Sequence, residues 1–333
     1  MRVTIGMINK ELRVRGILIR AMLRFRNEKS FVFANTLLRK FLHWKFPSDM
    51  NAEERFIPRQ DGGLLRIVVC RPADEAEAVT GVLWLHGGGY AFGRPEQELH
   101  YAREIMGAAP AVIVIPDYRL SVQAPYPAAL EDAYTALLWL KEHAAELGVN
   151  ADQIFVAGES AGGGLTACLT AYARDKGEVA IAFQMPLYPM LDDRMNTPSA
   201  VDNNAPMWDS HSNRICWKMY LRDLYGTDQV PPYAAPARLK DYSGLPPTYT
   251  FVGDIEPFRD ETVAYVEELK QAGVPAGVDV FQGCYHAFDM IGADKQIGKA
   301  ATRAWVRQFK FAAENYYAKN HTAENGDVPP NLS

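Results

Sequence analysis

The sequence has few cysteines, and the spacing of those it has excludes two kinds of site. Its 333 residues include only four, Cys70, Cys168, Cys216 and Cys284, all far apart. No pair lies at the short spacing of a metal-ligand or redox motif. We therefore expect free thiols in a reducing compartment.

Long apolar runs are missing too. No stretch approaches the roughly 18 apolar residues of a membrane-spanning helix, and arginines interrupt the apolar residues near the N-terminus. A secretory signal fits this pattern poorly. The sequence therefore predicts a cytoplasmic protein without stable membrane insertion. It also lacks internal repeats and low-complexity linkers, so we expect one main domain.

Charge is nearly balanced overall but unevenly distributed. The net charge is −5, whereas residues 1–46 contain eleven Lys or Arg and two acidic residues, a local net charge of +9. Apolar residues such as Ile17, Met22 and Phe25 recur at helical spacing in this segment. We expect residues 1–50 to form helices whose apolar faces pack on the body of the protein. A membrane surface and a transit peptide are the alternatives.

From residue 52 onwards, short apolar strands alternate with helices. This alternation is typical of crossover units and of a mostly parallel sheet with helices on both faces. The predicted strands lie at 52–59, 64–72, 82–85, 111–116, 154–158, 179–189, 247–254 and 278–283. The predicted helices lie at 96–108, 128–147, 161–173, 211–224 and 297–318, with a further one starting at Pro257. The sequence thus predicts an α/β fold with an eight-stranded sheet and an aromatic-rich insertion at 196–226.

The stretch IFVAGESAGGG, residues 154–164, contains the pattern Gly-x-Ser-x-Gly centred on Ser160. An apolar strand precedes the pattern and a helix follows it, which predicts a nucleophile elbow. Glycine is needed on both sides because so sharp a turn leaves no room for side chains. The pattern therefore predicts that Ser160 is a nucleophile.

A serine nucleophile requires a base, and the base requires a carboxylate to orient it. In folds with this elbow, the order along the chain is serine, acid, histidine. His286 and His321 are the histidines that follow a strand-ending acid, and His321 lies in a polar tail at 321–333. His286 is therefore predicted to be the base. Asp254 and Glu256 both follow the seventh predicted strand, so the acid stays open between them.

Three successive glycines, Gly87 to Gly89, follow the third predicted strand. Glycines let backbone N–H groups face a reaction site without obstruction, and a loop in this position supplies part of an oxyanion hole. We expect the N–H groups of Gly88 and Gly89 to bind the oxyanion together with that of Ala161. Such a site needs no metal ion and no organic cofactor.

Several motifs occur together in this chain: HGGGYAFG at 86–93, DYRL at 117–120, YPAALED at 126–132, GESAGGG at 158–164, EPFRDE at 256–261 and YHAF at 285–288. In combination and in this order they resemble the hormone-sensitive-lipase-like family of α/β-hydrolases. The resemblance extends from about residue 52 to residue 318. It implies an α/β-hydrolase fold with a catalytic domain at 51–195 and 227–320. It also implies a mobile cap formed by residues 1–50 and by the insertion at 196–226.

The resemblance further implies carboxylesterase action on esters of short or medium acyl chains. In the family, the triad acid is the aspartate of an Asp-Pro-Leu motif, and Glu256-Pro257-Phe258 matches that motif here. Glu256 is therefore favoured over Asp254 as the acid. Glu159 stands where the family usually has an aspartate, and we expect it to be structural, supporting the oxyanion loop.

We expect a serine esterase that acts on a small ester and prefers acetyl to roughly butyryl chains. Five aromatic residues are candidates for the substrate pocket: Tyr90, Phe92, Tyr188, Trp208 and Trp217. No nucleic-acid partner is expected, and a homodimer is left open. Two alternatives remain. One is an amidase or deacetylase with the same triad, and the other is a non-catalytic ligand receptor on the same fold, although such receptors have lost the histidine that His286 provides here.

Overall fold

The computed structural model describes residues 1–22, 25, 27–41, 46, 48, 50–72 and 79–318. The predicted polar tail at 321–333, with His321, lies outside the described residues. Within them, one eight-stranded sheet forms the centre, and a large apolar cluster lies on each of its faces.

The strands are β1 Asn51–Pro58, β2 Leu64–Arg71, β3 Val79–Leu85, β4 Ala111–Pro116, β5 Val149–Glu159, β6 Phe183–Leu187, β7 Thr248–Gly253 and β8 Ala276–Phe281. Their order across the sheet is β1-β2-β4-β3-β5-β6-β7-β8. β2 pairs antiparallel with β1 and with β4, whereas the other pairs are parallel. The predicted eight-stranded, mostly parallel sheet is therefore confirmed.

The helices are α1 Arg13–Met22, α2 Glu28–Phe41, α3 Leu99–Ala108, α4 Ala128–Glu142, α5 Ala161–Lys176, α6 Ser210–Leu221, α7 Arg259–Gln271, α8 Phe288–Ile291 and α9 Gln296–Asn315. Side chains alternate along a strand, and β3 presents apolar side chains to the helices on both faces of the sheet. Val82 and Trp84 belong to the cluster under α3 and α9. Leu83 and Leu85 belong to the cluster under α4 and α5.

Several boundaries differ from the sequence predictions. α4 ends at Glu142 rather than at 147, and β5 begins at Val149 rather than at 154. α3 begins at Leu99 rather than at 96, because the residues before it form a 3-10 turn. β6 ends at Leu187 rather than at 189, because Tyr188 has a positive φ of 33° and leaves the sheet.

The N-terminal helices cover part of the body. Phe31 of α2 is fully buried, and α2 packs against α6 of the insertion. Leu12 is buried just before α1, whereas Val14, Leu18 and Met22 of α1 are 70%, 54% and 82% exposed. The apolar faces thus pack on the body only in part. The assignment of these segments as a cap stays a prediction.

None of the described helices is both long enough and apolar enough to cross a membrane. The four cysteines are free and buried. Burial raises the pKa of the Cys70 thiol to about 12, and it also raises the pKa values of the other three thiols. Because the thiolate is the reactive form, these side chains serve as small apolar groups in the core.

Candidate active site

Ser160 lies at the junction of β5 and α5, where the chain turns sharply. β5 ends just before it and α5 begins just after it, and Ser160 has φ 58° and ψ −119°. A Cβ on Gly158 or on Gly162 would overlap the carbonyl oxygen of Leu85 at the end of β3. Glycine is therefore required on both sides of Ser160 because the turn packs directly against the neighbouring strand.

A hydrogen-bonded chain joins Ser160, His286 and Glu256. His286 Nε2 lies 2.8 Å from Ser160 Oγ, and His286 Nδ1 lies 2.6 Å from Glu256 Oε2. All three residues are at most 3% exposed. A carboxylate only accepts, so Nδ1–H donates to Glu256 and Nε2 is left to accept the Ser160 hydroxyl proton. The arrangement can therefore pass the serine proton to histidine.

Of the two candidate acids, Glu256 contacts His286 and Asp254 does not. Glu256 Oε1 also accepts a hydrogen bond from Gly253 N–H at 2.8 Å, which fixes the carboxylate. Asp254 Oδ1 accepts instead from Gly283 N–H at 2.6 Å, in the turn after β8, and burial raises the pKa of Asp254. The geometry thus brings together the serine, the histidine and the acid that the motif match favoured. Their catalytic roles stay a prediction.

The glycine loop after β3 lies beside this chain of groups. Gly88 and Gly89 have φ values of 108° and 61°, in the left-handed region that favours glycine. The Gly88 carbonyl accepts hydrogen bonds from Ala91 N–H and Phe92 N–H, which close the loop on itself. The N–H groups of Gly88, Gly89 and Ala161 donate to no acceptor in the part of the chain that the structure describes. They are therefore available to bind an oxyanion, and that role stays a prediction.

Glu159 contacts the glycine loop that follows β3. Its carboxyl group is hydrogen-bonded to the Gly87 backbone, and a Cβ on Gly87 would overlap that carboxyl group. Burial raises the pKa of Glu159 to about 7, although the nearby His286 lowers it; the carboxylate of Asp289 raises it further. The position agrees with the structural role that the sequence predicts for Glu159.

Arg39 on α2 makes contacts that the sequence did not indicate. Its guanidinium group binds both oxygens of Asp117, at 2.6 and 3.2 Å, and donates to Gly93 O at 3.0 Å. The next residue, Tyr118, donates from Oη to His86 O at 2.6 Å. These contacts connect the N-terminal segment to the loop that carries Gly88 and Gly89. The partners are too far apart in the sequence for any local pattern to indicate them.

A cavity of about 540 Å³ opens onto Ser160 and His286. Phe92 and Trp208, two of the predicted pocket residues, line the cavity, and the ring centroid of Trp208 lies 6.2 Å from that of His286. Other parts of the wall are aromatic or carry carboxyl groups, namely Glu98, Tyr101, Glu104, Glu159, Asp289 and Trp305. The sequence did not indicate these residues as part of a pocket, and the available signal was the position of Asp289, close behind His286 in the chain.

The other predicted pocket residues, Tyr90, Tyr188 and Trp217, do not line this cavity. All three are fully buried. Tyr90 stacks on Tyr220 with their ring centroids 3.9 Å apart, and Tyr188 Oη lies 2.6 Å from Tyr101 Oη. The expectation for these three residues is therefore corrected, because their rings pack in the layer behind the cavity wall.

Three comparisons with known proteins bear on this site. A family described as having the alpha/beta hydrolase fold matches residues 82–290. Esterase LipI of Mycobacterium tuberculosis is 37% identical over 216 residues, which are 65% of this chain and 67% of that protein. Ethyl acetate hydrolase of Pseudomonas putida is 29% identical over 237 residues, 70% of this chain and 74% of that protein. The solved structure of a bacterial heroin esterase is 30% identical with a TM-score of 0.86, and the match covers 94% of this chain and 100% of that one.

Proposed function

Since the chain belongs to the hormone-sensitive-lipase-like family of α/β-hydrolases and is a serine carboxylic ester hydrolase, we propose that it cleaves short-chain acyl esters. The acyl group ranges from acetyl to roughly butyryl, and Ser160 carries it as a covalent acyl-enzyme. The observation that carries this proposal is the continuous hydrogen-bonded chain from Ser160 through His286 to Glu256.

The proposed reaction has two steps, formation of the acyl-enzyme and its hydrolysis, and a proton is transferred in each. Ser160 Oγ attacks the ester carbonyl carbon while its proton passes to His286 Nε2. Glu256 holds Nδ1–H and stabilises the imidazolium that forms. The tetrahedral intermediate collapses, and His286 gives its proton to the departing alcohol. Water then attacks the acyl-enzyme by the same route, which releases the acid and restores Ser160.

The negative oxygen that develops in each step is proposed to be held by the N–H groups of Gly88, Gly89 and Ala161. Loss of one such donor typically costs about 3 kcal/mol of transition-state stabilisation. These donors are backbone groups, so no substitution of their own side chains removes them. The packing of the loop keeps the N–H groups in position. A Cβ on Gly88 would overlap the Phe92 carbonyl oxygen and would displace the loop.

Two observations support a short acyl chain. Phe92 and Trp208 stand in the cavity wall beside Ser160. They pack with Phe31 of α2, whose ring centroid lies 6.1 Å from each of theirs, so this side of the site is closed by large rings. Among the relatives, one is named for the hydrolysis of ethyl acetate, which is an acetyl ester.

The test is turnover of p-nitrophenyl esters from acetate to decanoate by the wild-type protein and by Ser160→Ala. The wild type should turn over acetate or butyrate fastest. Ser160→Ala should lose at least about a thousandfold in kcat while it remains folded, because the nucleophile is absent. Turnover that survives in Ser160→Ala would exclude Ser160 as the nucleophile, and a maximum at decanoate would exclude the short-chain preference.

Ser121→Ala provides the matched control. Ser121 is also buried, and its Oγ has no hydrogen-bond partner among the described residues, so the change removes a hydroxyl without breaking a side-chain hydrogen bond. Its kcat should stay at the wild-type level. A comparable loss in both variants would mean that Ser160→Ala acts through folding.

A further inference from the structure

The glycine loop after β3, residues 86–93, lies against the segment that follows β4. Asp117 N–H donates to Arg66 O of β2 at 2.9 Å, which fixes the start of this segment to the sheet. Tyr118 donates from Oη to His86 O at 2.6 Å, and its ring stacks on the His86 ring with centroids 4.1 Å apart. These contacts hold the first residue of the loop, and neither of them reaches its far end.

Arg39 of α2 connects that segment with the far end of the loop. Its guanidinium group binds both carboxylate oxygens of Asp117, at 2.6 and 3.2 Å, and donates to Gly93 O at 3.0 Å. Arg66 also donates to Asp117, at 3.4 Å, so the carboxylate is anchored from a second side. A guanidinium group can make all of its bonds at once because its donors form a rigid planar fork. Arg39 is therefore a bridge between an anchored carboxylate and the end of the loop.

The far end of the loop is packed against its glycines. A Cβ on Gly93 would overlap the Gly87 carbonyl oxygen, and a Cβ on Gly88 would overlap the Phe92 carbonyl oxygen. Gly88 O also accepts a hydrogen bond from Phe92 N–H at 3.1 Å. Groups packed this closely transmit a displacement to one another. A shift of Gly93 would therefore move the backbone of Gly87 and Gly88.

We propose that Arg39 is a positioning residue for the oxyanion hole, because it binds Asp117 and Gly93 O together and so fixes the N–H groups of Gly88 and Gly89. Arg39 is not among the described residues that line the cavity, so it acts through the loop and not on the substrate. Oxyanion donors are effective at about 2.7 to 3.1 Å from the developing charge, so a small shift of the loop weakens them. This inference rests on the proposed function, and it makes α2 necessary for a complete oxyanion hole.

The test separates the oxyanion interaction from binding in the cavity by means of two ketones that resemble a butyryl ester. Trifluoromethyl propyl ketone adds to a serine nucleophile. Ser160 Oγ bonds to the ketone carbon, the serine proton passes to His286, and the ketone oxygen becomes an oxyanion. Methyl propyl ketone has the same carbon chain but is too weakly electrophilic to add. The ratio of the two Ki values therefore reports the oxyanion interaction alone.

Arg39→Ala should lose about tenfold or more in kcat/KM on p-nitrophenyl butyrate, since a misplacement of about 1 Å can cost on the order of 100-fold. The Ki of trifluoromethyl propyl ketone should rise by the same factor, whereas that of methyl propyl ketone should stay within about twofold of the wild-type value. Arg39→Lys keeps the positive charge but has no fork of donors. It should show the same pattern with a loss of about threefold or more.

Arg222→Ala is the matched control on the same helix. Arg222 pairs at 3.6 Å with Glu28, at the opposite end of α2 from Arg39, and the side chains of this pair are 45% and 53% exposed. The variant removes an arginine contact of α2 and leaves the bridge in place, so both Ki values should stay at the wild-type level. A loss equal to that of Arg39→Ala would assign the effect to the general packing of α2 and would overturn the inference.

A folded Arg39→Ala with the wild-type kcat/KM and the wild-type ratio of Ki values also overturns the inference. An equal weakening of both ketones does so too, because it would place the effect in the cavity wall. Arg39→Lys decides by the same ratio if Arg39→Ala does not fold. In all these cases ester hydrolysis by the wild type leaves the proposed function intact. A folded wild type that neither hydrolyses p-nitrophenyl butyrate nor binds trifluoromethyl propyl ketone overturns both.

Discussion

At the scale of single residues, two carboxylates close together in the chain make different contacts. Glu256 contacts His286, whereas Asp254 fixes the turn after β8 through Gly283 N–H. Both follow the same strand, so their position along the chain could not separate them. The match of Glu256-Pro257 to a family motif did favour Glu256. The sequence could not supply the reason, because it depends on how the turns after β7 and β8 meet.

Glu256→Gln should reduce kcat far more than Asp254→Asn. Gln presents a neutral amide to His286, so the imidazolium loses its stabilising charge, and a loss of up to about 10⁴-fold is expected for this kind of change. Asp254→Asn keeps an oxygen that accepts the Gly283 N–H bond, so kcat should change little. The measurement is kcat on p-nitrophenyl butyrate for both variants. A larger loss in Asp254→Asn would reverse the assignment of the acid.

Two acidic residues in the cavity wall show why a pattern of single residues could not predict the cavity. Glu98 and Asp289 lie in different parts of the chain and have no motif in common. Helical spacing alone makes each of them an ordinary polar residue near a helix terminus. Only the packing of α3, α8 and α9 against one another brings them into the same wall.

At the scale of elements, α2 connects the N-terminal segment with the active site. Phe31 of α2 packs in an aromatic cluster with Phe25, Phe92 and Trp208. The rings of Phe25 and Phe31 are stacked, with centroids 4.0 Å apart. Phe92 and Trp208 line the cavity, so the position of α2 affects the shape of the space beside Ser160.

Phe31→Ala should destabilise the protein and widen its acyl-chain range. Loss of a fully buried ring typically costs about 3 to 5 kcal/mol, and the vacated space lets Phe92 and Trp208 move away from the cavity. Denaturant unfolding measures the first effect, and the p-nitrophenyl ester series measures the second, with the maximum moving to longer chains. Phe33→Ala is the control on the same helix, since Phe33 is 68% exposed and should affect neither. An unchanged chain-length profile in folded Phe31→Ala would contradict the role given to α2.

Element types were predictable from the sequence, and their ends were less so. Buried parallel strands are apolar on both faces, so β3, β4 and β7 stand out as short apolar runs. The end of α4 was predicted too late because Ala144 and Leu147 continue its apolar spacing. Both are buried in the turn after the helix, where they pack on the same core. Periodicity reports which side chains are buried, and it does not report whether the backbone between them is still helical.

At the scale of the whole molecule, the order of strands brings the candidate catalytic residues together. The loops at the carboxyl ends of β3, β5, β7 and β8 carry Gly88 and Gly89, Ser160, Glu256 and His286. Parallel strands place their carboxyl ends at one edge of a sheet, so loops that are distant in sequence become neighbours. The sequence indicated this edge because the candidate residues each follow a predicted strand of a mostly parallel sheet. It could not predict the cavity, whose walls combine this edge with α3, α8, α9 and the insertion at 196–226.

The central claim, that Ser160 is a nucleophile activated by His286 and Glu256, is tested most directly by labelling with a fluorophosphonate probe. Intact-protein mass and peptide mapping measure the number and position of adducts. The wild type should gain one adduct per chain on the peptide that contains Ser160, and Ser160→Ala should gain none. Labelling that persists in folded Ser160→Ala, or a folded wild type that does not react, would contradict the account.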